Sequence, residues 1–317
     1  MKPPTLVIVC CVLSIFICCL LVGIGGCRVI SEQSQKSGAT VASTPPQSGA
    51  SFSMTEVDQG GRKLTLKSKP KRIVSLTPGS TEVLFAIGAG GEMVEGTEAD
   101  DFPEAAKKLP HVSGMSENDL EKILVQKPDL VIASASLNAK LIATLDRAKV
   151  PILVLEPKTL DEVYTSINLL GHATGHDSEA GKVIEDMKAK FAEVRTSVGA
   201  SNVHPKVLIL YDVSPAYTSP TDSFIHDLIG VAGGEDVVQK SLPGNIISPE
   251  KAILSKPDVI ICGKYLEDKI KSTPGWSVIP AVKNGRFFHA SAESVLVRPT
   301  PRLVQGVEEL AKYLQKH

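Results

Sequence analysis

His172 and His176 stand four residues apart, the spacing at which two imidazoles on one helix face can hold a metal ion. Gly171 and Gly175 interrupt that segment, so the sequence predicts two solvated histidines and not a rigid chelating pair. His111, His204, His226, His289 and His317 are scattered, and no Ser, His and Asp share a motif that argues a catalytic triad. There is no Walker loop, no GxGxxG opening a helix after a strand, no GxSxG and no HExxH. AGGEMV from Ala89 and AGGEDV from Ala232 are glycine-rich but follow predicted helices, so they are turns and not phosphate cradles. Five of the six cysteines (Cys10, Cys11, Cys18, Cys19 and Cys27) lie at or before residue 27. Cys262 sits inside an apolar strand and is expected to be a small core hydrophobe, and no CxxC spacing argues for zinc. No metal site, no cofactor of the protein's own and no enzymatic reaction are therefore expected. The chemistry left open is binding.

The elements that would position a binding site come from a duplication. Residues 121–133 read EKILVQKPDLVIA and residues 250–262 read EKAILSKPDVIIC, an ungapped register of 129 residues (250 less 121). Every apolar position falls on an apolar position. Short apolar runs alternating with helical patterns predict parallel strands covered on both faces. In the first half these runs are 72–76, 93–97, 129–133 and 151–155; in the second they are 207–210, 258–262 and 286–289. Asp58-Gln59-Gly60-Gly61 predicts the turn of a small hairpin. The longest helical stripe runs from Ser178 to Val198, with Ala180, Val183, Ile184, Met187, Phe191, Val194 and Val198 on one face and Gly199 ending it. The expected fold is α/β, with two Rossmann-like lobes joined by one long connecting helix and a ligand cleft between them. The expected lobes cover 54–157 and 205–317, with 158–204 as the linker that contains the helix.

In parallel sheets, ligands sit beyond the carboxyl ends of the strands. That rule places Thr77, Pro78 and Ser80 after the first strand, backed by free helix N–H donors. It places Asp100, Asp101 and Phe102 after the next, then Tyr211, Asp212 and Tyr217 in the second half, and Glu293 and Arg298 near the end. Tyr217 is the strongest candidate, because an aromatic on an irregular loop needs a reason to be there. Met115 and Trp276 could add flat apolar contact.

The first 27 residues do not belong to this fold. Met1-Lys2, an apolar run from Leu6 to Ile24 and then Gly25-Gly26-Cys27 form a signal-like segment. Ile24-Gly25-Gly26-Cys27 resembles a bacterial lipobox, with Cys27 as the lipidated residue; an uncleaved anchor is the alternative. Residues 28–53 are rich in Ser, Gln, Thr, Gly, Ala and Pro and read as a disordered tether. Both readings hold the body outside the cell membrane. A net charge of −1 leaves no nucleic-acid footprint, and 4% aromatics argue against extended stacking surfaces. A monomer is expected.

With these residues in view, the chain resembles the class III (cluster A) substrate-binding proteins of ABC importers, and is most similar to the cobalamin-binding subgroup. The resemblance rests on DQGGRKLTL, KRIVSLTPGSTEVLFAIGAG, DDFPEAAKKLPHVSGMSENDLEKILVQKPDLVIA, YTSPTDSFIHDLIGVAGGEDVV, SPEKAILSKPDVIIC and NGRFFHASAESVLVRPTPRLVQGVEELAKYL. It implies a ligand trapped between two lobes and delivered to a membrane permease, with small hinge motion. A corrinoid is the first ligand class implied, with ferric siderophore second and haem after it. A sensor module that kept the fold without transport is a further alternative. The resemblance also implies a permease-docking glutamate on each lobe, placed here at Glu235 through its GGE motif and at Glu104, with Glu117 as rival.

Overall fold

In the computed structural model, residues 52–113, 119–199, 203–292 and 294–316 are described. The chain begins with a hairpin, β1 (Met54–Val57) and β2 (Lys63–Leu66), antiparallel with Met54 opposite Leu66. Alternation in Lys63-Leu64-Thr65-Leu66 buries Leu64 and Leu66 and exposes the other two. Then follow β3 (Ile73–Ser75), α1 (Pro78–Ala86), β4 (Met93–Thr97), β5 (His111–Val112), α2 (Leu120–Val125), β6 (Leu130–Ala133), α3 (Ala139–Arg147) and β7 (Ile152–Val154). These strands form a parallel sheet in the order β5-β4-β3-β6-β7. After α4 (Leu160–Thr174) and α5 (Asp177–Val198) come β8 (Lys206–Leu210), α6 (Phe224–Val231), β9 (Glu235–Asp236), α7 (Pro249–Ser255), β10 (Val259–Cys262), α8 (Glu267–Ser272), α9 (Pro280–Lys283), β11 (Phe287–Phe288), α10 (Ser294–Val297) and α11 (Leu303–Leu314). The second sheet is also parallel, in the order β11-β10-β8-β9.

The duplication is visible down to single backbone torsions. Each copy is a helix, a turn and a strand buried on both faces: α2 with β6, and α7 with β10. Lys127 and Lys256, 129 residues apart, both adopt the left-handed region, with φ of 50° and 48°. Asp129 and Asp258, also in register, both clamp the start of the central strand beside them. Asp129 accepts from the amides of Lys71 and Arg72 at 2.8 and 2.9 Å, and Asp258 from the amide of Lys206 at 2.9 Å. The Pro-Asp pair thus closes the helix and satisfies amides that the neighbouring strand leaves open at its amino end.

The long helix expected between the halves is α5, and α4 packs alongside it. Gly171 does not interrupt α4. A Cβ there would lie 2.5 Å from the Ala180 side chain, so the glycine lets α4 and α5 approach closely. Gly175, with φ of 66°, ends α4, and the chain reverses into α5. Both helices reach both halves. The Leu160 amide, at the start of α4, donates to Asp227 of α6 at 2.9 Å, while His172 near its end approaches Glu56 of β1. α5 is preceded by His176, beside Glu92 and Lys69, and ends with Val198 against Gly233. Its 22 residues make a rod of about 33 Å. His172 and His176 therefore serve different contacts, and no metal-ligating cluster occurs among the described residues.

The described residues fall within one compact unit. A single apolar cluster runs from Ile73 and Leu130, through Ile167, Ile184, Met187 and Phe191, to Val207, Ile209 and Leu310. Relative motion of the two sheets would shear this cluster, which makes the bridge stiff. Trp276 is fully buried in a second cluster confined to the second half, with Leu208, Ile260 and Phe287. It is a core residue, so it offers no face to a ligand.

Candidate functional site

Thr77 caps α1: its hydroxyl accepts from the Ser80 amide at 3.4 Å and donates to the Ser80 hydroxyl at 2.8 Å, with Pro78 in the first turn. These residues follow the carboxyl end of β3 and line a cavity of about 370 Å³. Its floor is apolar, with Val83, Leu155, Leu170 and Phe224. Ser134, Ser136 and Glu156, from the carboxyl ends of β6 and β7, form a polar wall, and Val297, Arg298 and Pro299 close the cavity from the second half. A second cavity of about 170 Å³ lies at the carboxyl ends of β8 and β10, lined by Tyr211, Tyr265 and again Val297. Val297 lines both cavities, so they adjoin there, each at the carboxyl ends of its own sheet. This is where parallel sheets place ligands.

Four predicted residues, Thr77, Pro78, Ser80 and Arg298, line the first cavity. Arg298 is committed to an ion-pair clasp between the halves. It bonds Glu82 of α1 at 2.9 Å, the Asp101 carboxylate and the Ala99 carbonyl. Arg302 donates to the same Glu82 at 2.7 and 2.8 Å and to Ser294 at 3.0 Å. Burial alone would lower the Arg298 pKa, but the bonds to Asp101 and Glu82 outweigh it and hold the guanidinium above its usual range. Phe102 lays its ring on the Arg302 guanidinium, 4.2 Å from the centroid. Asp101 and Phe102 thus join the clasp. Asp100 is buried and ties β4 to α1 through Thr97 and Thr81.

Asp212 lines neither cavity and pairs with Lys269 at 2.6 Å on the surface. Tyr217 also lines neither; it lies half-exposed on the adjoining loop, where its carbonyl accepts from the Tyr211 amide at 2.9 Å and its backbone bridges to Ile246. Tyr211, which the carboxyl-end rule places with Tyr217, lines the second cavity. Its hydroxyl bonds Ser219 at 2.7 Å, and burial pushes its pKa up. Met115, Glu293, Glu117 and Cys27 lie outside the described residues. Ser134, Ser136, Glu156 and Tyr265 were missed, although the carboxyl-end rule applied to β6, β7 and β10 would have found them.

The two acids proposed for docking are exposed, but they differ in placement. Glu104 pairs with Lys107 at 2.6 Å. Glu235 opens β9 opposite Lys206, at the amino end of the second sheet, away from the cleft. The acids that the duplication brings to the cleft end are Glu121 and Glu250, exposed and in the first turns of α2 and α7. Each helix ends at the amino edge of its following strand, so its first turn points the other way.

Beside the second cavity, His289 Nδ1 donates to the Cys262 carbonyl at 2.8 Å, and its Nε2 lies 2.8 Å from a Glu267 carboxylate oxygen. Lys264, Lys271 and His289 hold the Glu267 pKa down to about 2 from 4.5. A depressed carboxylate contributes stability above its unfolded pKa and loses it as pH falls through the folded one. Glu267→Gln is therefore expected to flatten the loss of stability between pH 4.5 and about 2, read by urea unfolding at each pH. An unchanged slope would show that the cluster is screened by solvent.

Comparison with known proteins agrees with this geometry. The sequence profile of the family described as periplasmic binding protein matches residues 73–293. An uncharacterized ABC transporter substrate-binding lipoprotein, YvrC of Bacillus subtilis, is 31% identical over 269 residues, covering 82% of this chain and 85% of that one. The crystal structure of the periplasmic vitamin B12 binding protein BtuF of Vibrio cholerae superposes with a TM-score of 0.66 at 28% identity, covering 78% of this chain and 97% of that one. The periplasmic heme-binding protein RhuT of Roseiflexus sp. RS-1 gives 0.69 at 25% identity, covering 78% and 98%.

Proposed function

Because the chain belongs to the periplasmic-binding-protein family, we propose that it captures a corrinoid outside the cell membrane and delivers it to an ABC permease. The observation that carries this reading is the cleft over the carboxyl ends of both sheets, with Tyr211 and Tyr265 on one side and an apolar floor on the other. A macrocycle is a broad plate with two apolar faces, and it can lie across both cavities and stack on these rings. Similarity to a vitamin B12 binding protein supports the same ligand class. Similarity to a heme-binding protein supports haem as the second reading, and a ferric siderophore is the third.

In this reading the lobes are residues 54–157 and 205–317, the bridge is 158–204, and Cys27 carries the membrane tether. YvrC, named a lipoprotein, supports the tether.

Incubation with cyanocobalamin, haem or a ferric siderophore, followed by gel filtration, tests the ligand directly, because each absorbs visible light differently. Corrinoid is expected to co-elute. Retention of haem alone would overturn the corrinoid reading. Tyr211→Ala is expected to weaken binding by roughly 1–3 kcal/mol, the scale of truncating a buried aromatic contact. Tyr217→Ala is expected to weaken it less, because that ring lines neither cavity. The reverse order would return the stacking role to Tyr217.

A further inference from the structure

Glu156 is the one carboxylate lining either cavity among the described residues, and none of its bonds is to a cation. One of its oxygens accepts from the Ser134 hydroxyl at 2.5 Å and the Ser136 amide at 3.1 Å; the other accepts from the Ser136 hydroxyl at 2.7 Å. Its own amide is taken by the Gln59 side chain at 2.8 Å. Burial would push this group up, but the Ser134 and Ser136 donors outweigh it and hold it below the usual carboxylate range, so it is ionised at neutral pH. Neutral donors stabilise the anion without cancelling its field.

The cation across the cleft does not cancel it either. Arg298 is the other charged side chain lining the cavities, and its charge is spent within the clasp. There Glu82 and Asp101 balance Arg298 and Arg302, two charges against two. The wall of the first cavity therefore carries one net negative charge beside an apolar floor. Such a wall favours N–H donors, which can share the outer lone pairs of Glu156, and repels carboxylates, which would meet a like charge in a poorly solvated site.

We propose that Glu156, presented by Ser134 and Ser136, is a specificity determinant that admits neutral ligands, those bearing amide or other N–H donors most of all, and rejects their carboxylate counterparts. The inference rests on the reading that this cleft holds the transported ligand, but not on which macrocycle that ligand contains.

The test uses two matched pairs, each differing in charge on one scaffold: cyanocobalamin with its monocarboxylate hydrolysis product, and haem dimethyl ester with haem. Affinities are read by absorbance titration of the purified full chain. Where a pair binds, the neutral member is expected to bind about tenfold tighter or more. Glu156→Gln is expected to reduce that ratio to about threefold or less. Asp186→Asn, which removes an exposed carboxylate of α5 that lines neither cavity, is expected to retain it. Equal loss of the ratio in both variants would mark a structural effect and overturn the proposal. If Glu156→Gln fails to fold, the wild-type ratio decides, and equal or tighter binding of the charged member overturns it.

The outcomes separate this inference from the corrinoid reading. Cobalamin bound with a ratio near one leaves the corrinoid reading standing and removes the role of Glu156. Haem ester preferred over haem, with no cobalamin bound, keeps the role and removes the corrinoid. Binding of neither neutral member overturns both.

Discussion

Glu82→Gln is expected to destabilise the protein by about 3 kcal/mol, the low end for removing one partner of a buried ion pair. The Glu82 carboxylate is 2% exposed and receives three hydrogen bonds from Arg298 and Arg302, some 220 residues away. The amide in its place leaves two guanidinium groups with Asp101 as their remaining carboxylate. The low end applies because both arginines are about one-fifth exposed and can recover some hydration. Urea unfolding measures the loss. A double-mutant cycle with Arg302→Gln should give a coupling above 1 kcal/mol, since the pair is charged, nearly buried and bidentate. A change below that would mean the clasp is screened and holds the halves no more firmly than the shared apolar cluster already does. The clasp also bears on ligand entry, because Arg298 and Val297 close the cavity from the second half.

Reversing charge at the cleft ends of the duplicated helices should have the largest functional effect. Glu250→Arg combined with Glu121→Arg is expected to abolish uptake while ligand affinity stays within about twofold, because rim charges steer docking more than they set ligand binding. An importer with two like membrane subunits presents two like surfaces, and these two acids are related by the same register that relates the lobes. Glu235→Arg is expected to leave uptake intact, since Glu235 sits at the amino end of β9, remote from the cleft. Glu104 is the alternative first-half acid and makes the informative comparison. Uptake of labelled ligand into cells expressing each variant checks all four acids. Uptake lost through Glu235 and kept through Glu250 would restore the first assignment. Uptake kept in every variant would favour a sensor over a transporter.

The local parts of this protein were legible in the chain. Short runs of branched apolar residues, as in Leu130–Ala133 and Val259–Cys262, leave no polar face and so demand a sheet covered on both sides. The repeated Lys-Pro-Asp carries its structure with it, because proline restricts the residue before it and aspartate satisfies amides a few ångströms away. Thr77 caps α1 for an equally local reason.

What tertiary structure alone decided involves surfaces meeting from distant sequence. Gly171 looked like a helix breaker, yet it allows α5 to approach α4, and Ala180 supplies the reason. Trp276 looked available to a ligand until the sheet and helices of the second half closed around it. Arg298 lines the first cavity, and its partners Glu82 and Asp101 come from the other half, 216 and 197 residues away. Hydrophobic and hydrogen-bonding preferences set each element through its neighbours in the chain. Which loop tyrosine faces the cavity, and whether a cleft charge is already neutralised, depends on how the assembled elements face one another.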